Sequence, residues 1–225
     1  MTLSDNIWWT RKARIQTEKR LLSNSFQAQI LLLWYSFFSV FAAIYYLQVE
    51  RPDALVNVGW IAFSILTLTV SGFINGLSFK ERAALVKECY ETLNGIYIQA
   101  RIVEKALGFS RGQNPESDRM KPGCPEGAQT TQDESEDGRE TANHKSIESI
   151  GREFQQVLKV CENHTDSDFR AALCEAHLTE PRERLTKHPT QYTWLVFWLE
   201  RLARVVLFSL YVLLPVGIFV GIGLL

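Results

Sequence analysis

Three long stretches of the chain contain no Asp, Glu, Lys or Arg, and they alternate with strongly charged segments. They cover residues 21–49, 54–79 and 205–225, which makes them 29, 26 and 21 residues long. A bilayer core of about 30 Å is crossed by about 20 apolar residues in a helix, so each stretch is long enough to span. The pattern predicts an N-terminal transmembrane hairpin, with spans at 26–48 and 55–79, and a C-terminal membrane helix.

The charged segments carry apolar residues at helical spacing, and none shows the alternation of a strand. This periodicity predicts a helix over 80–108 that continues the second span without a break. It also predicts two shorter helices, at 147–161 and 169–178. The fold class is therefore an all-α membrane protein, with an N-terminal transmembrane hairpin, long cytoplasmic helices and a C-terminal hydrophobic helix.

Residues 109–143 have a different composition, with three Pro, four Gly and many polar residues. Such a segment buries too little apolar surface to offset the entropy of ordering, so we expect a flexible acidic loop. The predicted organisation is a basic arm (1–25), the hairpin (26–79), a cytoplasmic helix (80–108), the acidic loop (109–143), further cytoplasmic helices (144–192) and the C-terminal membrane helix (193–225).

The basic residues predict an orientation. Five precede the first span: Arg11, Lys12, Arg14, Lys19 and Arg20. Lys80, Arg82 and Lys87 follow the second span, whereas the linker at 50–53 holds one base and two acids. The positive-inside rule then places the N-terminus and residues 80–192 in the cytoplasm.

The arm is amphipathic, with Ile7, Trp8, Ile15 and Leu22 on one face. Two interpretations are equally open. The arm lies along the inner leaflet, where its five bases contact anionic lipid or a partner. Alternatively, it extends the first span and packs on neighbouring helices.

The second span carries a polar stripe at helical spacing, formed by Ser64, Thr67, Ser71 and Asn75. The first span carries a similar one at Gln29, Ser36, Ser39 and Tyr46. Such residues hydrogen-bond between helices in a single molecule, or line a pore if several copies assemble. Two small-residue motifs predict close helix contacts: Gly72 with Gly76, and Gly217 with Gly221. Charged residues are absent from the runs, which argues against a proton pump, a voltage sensor or a charged selectivity filter.

Composition narrows the function classes further. The 225 residues have a net charge of −1, which argues against sequence-specific nucleic-acid binding. Four Cys are too few for a disulfide scaffold, so a reducing compartment is the default expectation.

Two Cys-x-x-His units offer a metal hypothesis, with Cys161, His164, Cys174 and His177 as ligands. Their arrangement differs from that of a zinc finger, and Cys is also a common core residue. A divalent-ion hydrolase would instead use His164, Asp166 and Asp168. The same turn matches a helix start, which Ser167 or Asp168 would cap, and capping is the favoured interpretation. Neither a catalytic residue nor a cofactor is predicted.

Three groups of residues resemble a known family. The first is Trp9-Thr10-Arg11-Lys12-Ala13-Arg14-Ile15 with Glu18-Lys19-Arg20-Leu21, leading into Trp34-Tyr35-Ser36. The second is Phe79-Lys80-Glu81-Arg82-Ala83 with Cys89-Tyr90 and Leu93, and the third is Glu162-Asn163-His164 with Asp168-Phe169. Together they resemble the SLATT family of two-transmembrane effector domains, and within it the subfamily found beside reverse transcriptases.

The resemblance implies a bacterial inner-membrane effector of antiphage defence without catalytic residues. It would stay silent until a sensor partner, such as a reverse transcriptase with its nucleic acid or a nucleotide-signalling protein, detects infection. On a signal it would oligomerise, form a pore or disrupt the membrane, and cause abortive infection. Two alternatives remain: a non-conducting membrane scaffold that localises a cytosolic defence partner, and the metal-dependent enzyme described above. The family name counts two spans, whereas the charge pattern predicts three.

Overall fold

The computed structural model describes residues 2–48, 54–108 and 133–223, and these residues contain no strand. The helices are α1 (Leu3–Leu47), α2 (Ala54–Gly76), α3 (Phe79–Ala106), α4 (Asp133–Val160), α5 (Asp166–Thr179) and α6 (Gln191–Gly223). A 3₁₀ turn at Arg182–Arg184 lies between α5 and α6. The prediction of an all-α fold with three apolar helices long enough to cross a membrane is confirmed.

The arm and the first span form one continuous helix, α1, of 45 residues. Thr2 caps it by accepting a hydrogen bond from the backbone N–H of Asp5. At 1.5 Å per residue, α1 is about 68 Å long, more than twice the thickness of a bilayer core. Its N-terminal half therefore extends well outside the membrane.

That half of α1 packs antiparallel against α3. Ile7 lies with Leu93, Ile96 and Ala100, while Leu21 at the other end lies with Ala83 and Val86. Side chains of α4 and α5 complete the core: Ile150, Phe154, Leu173 and Ala176. We call this unit of α1 (residues 3–21), α3, α4 and α5 the bundle. Of the two interpretations of the arm, the structure shows packing on neighbouring helices.

The second half of α1 pairs with α2 and α6. Ser39 lies opposite Ser64 of α2, and Tyr35 and Tyr45 contact Tyr211 and Phe219 of α6 in the same order along the chain. Helix α6 therefore runs parallel to α1. Since α3 follows directly from α2, the bundle lies on one side of the apolar segment.

Large apolar side chains cover the outer surface of these three helices. Phe37, Leu68 and Phe73 are 74%, 75% and 69% exposed, as expected of residues that face lipid. Inside, the ring of Phe219 contacts five other aromatic rings at centroid distances of 5.3–6.1 Å: those of Phe38, Phe41, Tyr45, Tyr46 and Trp60. Aromatic packing therefore fixes α6 on the hairpin.

The prediction that the second span continues into the next helix is wrong, because two non-helical residues separate α2 from α3. Helix α2 ends at Gly76, and Ser78 adopts a left-handed conformation with φ of 44° before α3 begins. The turn redirects the chain so that Ala83 and Val86 face Leu21. Packing against α1 thus overrides helical continuity.

The predicted acidic loop overlaps the start of a helix. Helix α4 begins at Asp133, so residues 133–143 are helical, whereas 109–132 lie outside the described residues. This part lacks Pro, and it places Asp133, Glu134 and Glu136 near the helix N-terminus, where the helix dipole favours acids. The low apolar content that suggested a loop is also compatible with a helix end rich in polar residues.

The short helix predicted at 169–178 exists, but the predicted N-terminal cap at Ser167 or Asp168 is wrong. Thr165 caps α5, and it forms a capping box with Asp168, the third residue of the helix. The hydroxyl of Thr165 accepts from the Asp168 backbone, and the Asp168 carboxylate accepts from the Thr165 N–H at 3.1 Å. Asp168 therefore supports the cap from inside the helix.

Candidate functional site: a polar junction between the bundle and three membrane helices

Glu162, which lies between α4 and α5, is bound by two arginines. The guanidinium of Arg82 on α3 donates to both carboxylate oxygens, with Nε···Oε2 at 3.0 Å and Nη2···Oε1 at 2.5 Å. The buried guanidinium of Arg14 on α1 donates to the Glu162 backbone carbonyl. The hydrogen bond from Arg82 holds the pKa of Glu162 below its ordinary value, so the pair is ionic at neutral pH.

Asp168 on α5 is 3% exposed and is bound by α1. Arg20 donates from Nε to Oδ1 at 2.8 Å and from Nη2 to Oδ2 at 3.1 Å, and the hydroxyl of Thr17 donates to Oδ2 at 3.0 Å. Burial alone would raise the pKa of this carboxyl. The hydrogen bonds from Arg20 and Thr165 outweigh burial and lower the pKa, so Asp168 is charged despite its position.

A third contact joins α5 to the C-terminal membrane helix. Arg170 of α5 forms an ion pair with Glu200 of α6, with both side chains about 30% exposed. The nine-residue segment 162–170 therefore bonds to α1, to α3 and to α6. We call these contacts the junction, formed by Arg14, Thr17, Arg20, Arg82, Glu162, Asp168, Arg170 and Glu200.

The junction lies where each helix leaves the apolar segment. Arg20 is the last charged residue before the charge-free run of α1, and Arg82 follows the run of α2 by three residues. Glu200 precedes the run of α6 by five residues. A shift of the segment 162–170 relative to α1, α3 and α6 would therefore act on the ends of α1 and α6, and on α2 through α3.

Some of the residues that carry the family resemblance lie together at or beside the junction. Glu162 and Arg82 form the ion pair, and the ring of His164 lies 6.2 Å from that of Phe169, which also contacts Trp9. Burial raises the pKa of Tyr90, and the nearby Glu18 on α1 raises it further. The remaining three motif residues, Lys80, Glu81 and Asn163, are exposed.

His164 is a half-buried titratable group beside the junction. Burial lowers its pKa, and the nearby Arg14 lowers it further, against the smaller opposing effects of Asp168 and Asp166. Its Nδ1 atom is buried without a hydrogen-bond partner in the structure. A neutral imidazole is therefore the favoured form in the folded chain.

Most basic residues of the arm contact acidic residues or carbonyl groups of the same chain. Lys19 and Gln16 both bind Glu175 of α5, with Lys19 Nζ 2.8 Å from the carboxylate, and Lys12 lies 3.7 Å from Glu180. Arg14 and Arg20 belong to the junction, and Arg11 is partly buried. These contacts bond Arg14 and Arg20 within the chain, and contact of the five bases with lipid or a partner stays a prediction.

The two polar stripes of the hairpin meet in one groove. Ser39 Oγ lies 3.2 Å from Ser64 Oγ, and the groove has a volume of about 330 Å³. It is lined by Leu32, Ser36, Ser39, Ser64, Thr67, Leu68 and Ser71. Ser36, Ser64 and Thr67 donate to backbone carbonyls of their own helices. Of the four candidate lining residues, three are in the groove, and Asn75 is exposed outside it.

The glycine motifs are not used for contacts within the chain. A Cβ atom added at Gly72, Gly76, Gly217 or Gly221 would meet nothing within 4 Å. The predicted close helix contacts at these positions are thus absent inside one molecule.

Within the described part of the chain, the four ligands of the metal hypothesis are not brought together. Cys161 forms a disulfide with Cys89 of α3, and Cys174 is a buried free thiol. Among the described residues, no three His, Cys, Asp or Glu side chains are grouped to hold a metal. Asp168, one of the three residues of the hydrolase hypothesis, is engaged in the α5 cap and in the ion pair with Arg20.

Two features of the site were missed from the sequence. Thr17 lies on the same helix face as Ala13 and Leu21. A polar residue between a small and an apolar one on that face was the sequence signal that could have indicated a buried hydrogen bond. The disulfide has no comparable signal, because its cysteines are 72 residues apart and reduced thiols were the default expectation.

Over the described residues, the fold and the junction define an all-helical membrane protein in which segment 162–170 is bonded to α1, to α6 and to α3, the helix that follows α2. The chain belongs to the SMODS and SLOG-associating 2TM effector domain family 5, whose family model matches residues 1–221. The SLATT family resemblance is thereby confirmed, while the link to the subfamily beside reverse transcriptases stays a prediction. No curated protein and no solved structure matches the chain. As the family name indicates, the protein is a membrane effector of defence systems.

Proposed function

We propose that this effector permeabilises the bacterial inner membrane as a homo-oligomer, on a signal from a sensor partner, and so causes abortive infection. The observation that carries the proposal is the groove between α1 and α2. It brings five hydroxyl side chains together within helices that otherwise face lipid: Ser36, Ser39, Ser64, Thr67 and Ser71. A single molecule leaves this polar surface open, and adjacent copies would enclose it.

The hydroxyl groups favour a weakly selective pathway. Three of them already donate to carbonyls of their own helices, so they present oxygen atoms to the groove without breaking the helix. The charge-free runs supply no ring of charge to select ions. Loss of membrane potential is therefore the expected effect of the open state.

The orientation that we propose follows the basic residues, with the bundle in the cytoplasm. A cytosolic sensor would then contact the bundle, and the junction would transmit the signal to the membrane helices. In this account, the closed state is the one in which Glu162 holds Arg82 and Asp168 holds Arg20. The signal would weaken these pairs and free the membrane helices to rearrange.

The test uses induced expression with a membrane-potential dye and a matched pair of variants. Ser71→Leu fills the groove with an apolar side chain, and we expect it to prevent depolarisation while membrane insertion is retained. Thr69→Val alters the same helix outside the groove, and we expect it to depolarise like the wild type. Triggered cells that stop growing with an unchanged potential would contradict the pore and favour the non-conducting scaffold.

A further inference from the structure

The disulfide between Cys89 and Cys161 links two distant parts of the bundle. Cys89 lies on α3 and is 4% exposed, within the apolar cluster that also contains Leu93 and Phe154. Cys161 directly follows α4 and is partly exposed. The end of α4 is thus attached covalently to the helix that follows the second span.

The disulfide is close in sequence to both residues of the Arg82–Glu162 ion pair. Cys161 is followed by Glu162, and Cys89 lies seven residues, or about two turns, after Arg82 on α3. Arg82 and Glu162 therefore lie just outside the two ends of the 89–161 loop that the disulfide closes, and the bond holds the two chain segments that carry them together. While the bond is intact, Glu162 has little freedom to move away from α3.

We propose that Cys89 and Cys161 form a reversible redox-modification site whose oxidation holds the junction closed. The partner is a thiol or dithiol reductant in one direction and a small disulfide in the other. In reduction, a thiolate of the reductant attacks Sγ of Cys161, and Cys89 leaves as a thiolate that takes up a proton. The second thiol of the reductant then resolves the mixed disulfide, which leaves two protein thiols and the oxidised reductant.

Exposure determines which sulfur is attacked. Cys161 is partly exposed, whereas Cys89 is nearly covered by its apolar neighbours, so an incoming thiolate reaches Cys161 first. Cys174 provides an internal reference, because it is 0% exposed and burial raises the pKa of its thiol. It should stay unreactive under conditions that exchange the pair.

The first experiment follows the thiols of the full chain in lipid nanodiscs, equilibrated in glutathione buffers of graded redox poise. After acid quenching, free thiols are alkylated and mapped by mass spectrometry. We expect Cys89 and Cys161 to oxidise together and glutathione to be trapped on Cys161, with Cys174 unlabelled until denaturation. Free thiols at both positions in the most oxidising buffer, or glutathione on Cys89 alone, would overturn the proposal.

The second experiment measures amide hydrogen exchange of residues 162–170 in the oxidised and reduced protein. We expect exchange to be slower by on the order of tenfold in the oxidised state. The Cys161→Ser variant should match the reduced protein in both buffers, and Cys174→Ala should respond like the wild type. Equal exchange in both states would refute control of the junction by the bond. Neither readout measures permeability, so this inference and the proposed function fail separately.

Discussion

The hydroxyl of Tyr35 on α1 donates a 2.8 Å hydrogen bond to the backbone carbonyl of Tyr211 on α6. That carbonyl lies four residues before Pro215, which has no N–H to donate and is fully buried inside α6. Trp34 donates likewise to the carbonyl of Val212 at 3.0 Å. The first membrane helix thus satisfies a backbone group that the proline of the third leaves free, in a region where lipid offers no donor.

Replacing Tyr35 by Phe should weaken the attachment of α6. The Tyr211 carbonyl would lose its donor, a change that costs about 1–3 kcal/mol for a buried group. A lower thermal midpoint of the protein in nanodiscs would show it. Tyr211→Phe is the control, since it removes a hydroxyl from the same residue and leaves the carbonyl in place.

A double-mutant cycle sharpens this prediction. Pro215→Ala restores an N–H that can reach the Tyr211 carbonyl within α6, so the further change Tyr35→Phe should then cost markedly less. Equal losses with and without Pro215 would mean that the hydrogen bond does not compensate for the proline.

Asp168→Asn should destabilise the bundle more than any other single-carboxylate change in α5. The change removes the negative charge that Arg20 and the α5 cap require. We expect a loss of about 2–3 kcal/mol in the free energy of unfolding, which is less than for a fully buried ion pair because Arg20 is a quarter exposed. Chemical denaturation followed by circular dichroism gives the comparison. Asp166→Asn, on the same helical turn but exposed, should change stability little.

The lowered pKa of Asp168 and of Glu162 also predicts acid lability. Their ordinary values are 3.8 and 4.5, so the stabilisation is complete above these pH values and is lost as the pH falls below them. Asp168→Asn should flatten this acid limb of the stability profile. An unchanged acid limb would contradict the charged state assigned to Asp168.

His164 predicts a second dependence at higher pH. Its folded pKa lies below the ordinary 6.5, so the unfolded chain binds the proton more readily, and stability should fall as the pH drops below about 6.5. Bundle stability measured at pH 8 and pH 6 reports this loss. His164→Gln should abolish the difference, whereas replacing the exposed His188 by Gln should preserve it.

The membrane helices could be predicted from the sequence because charge-free runs of sufficient length have few other solutions. The junction could not, because Arg20 and Asp168 are 148 residues apart, and nothing local shows that they meet. The polar stripes were visible at helical spacing, yet only the pairing of Ser39 with Ser64 showed that they share a groove. At Ser78 the sequence predicted an uninterrupted helix. The structure has a turn there, because Ala83 and Val86 of α3 pack against Leu21.

If the junction keeps the membrane closed, reversing the charges of one of its ion pairs should open the membrane and restoring the pair should close it. Arg82→Glu and Glu162→Arg each break the pair, and the double variant restores it in reverse orientation. Dye release from liposomes that contain the purified protein is the measurement. We predict spontaneous leakage from each single variant and sealed liposomes for the wild type and the double variant. Equal leakage from all four proteins would contradict the account.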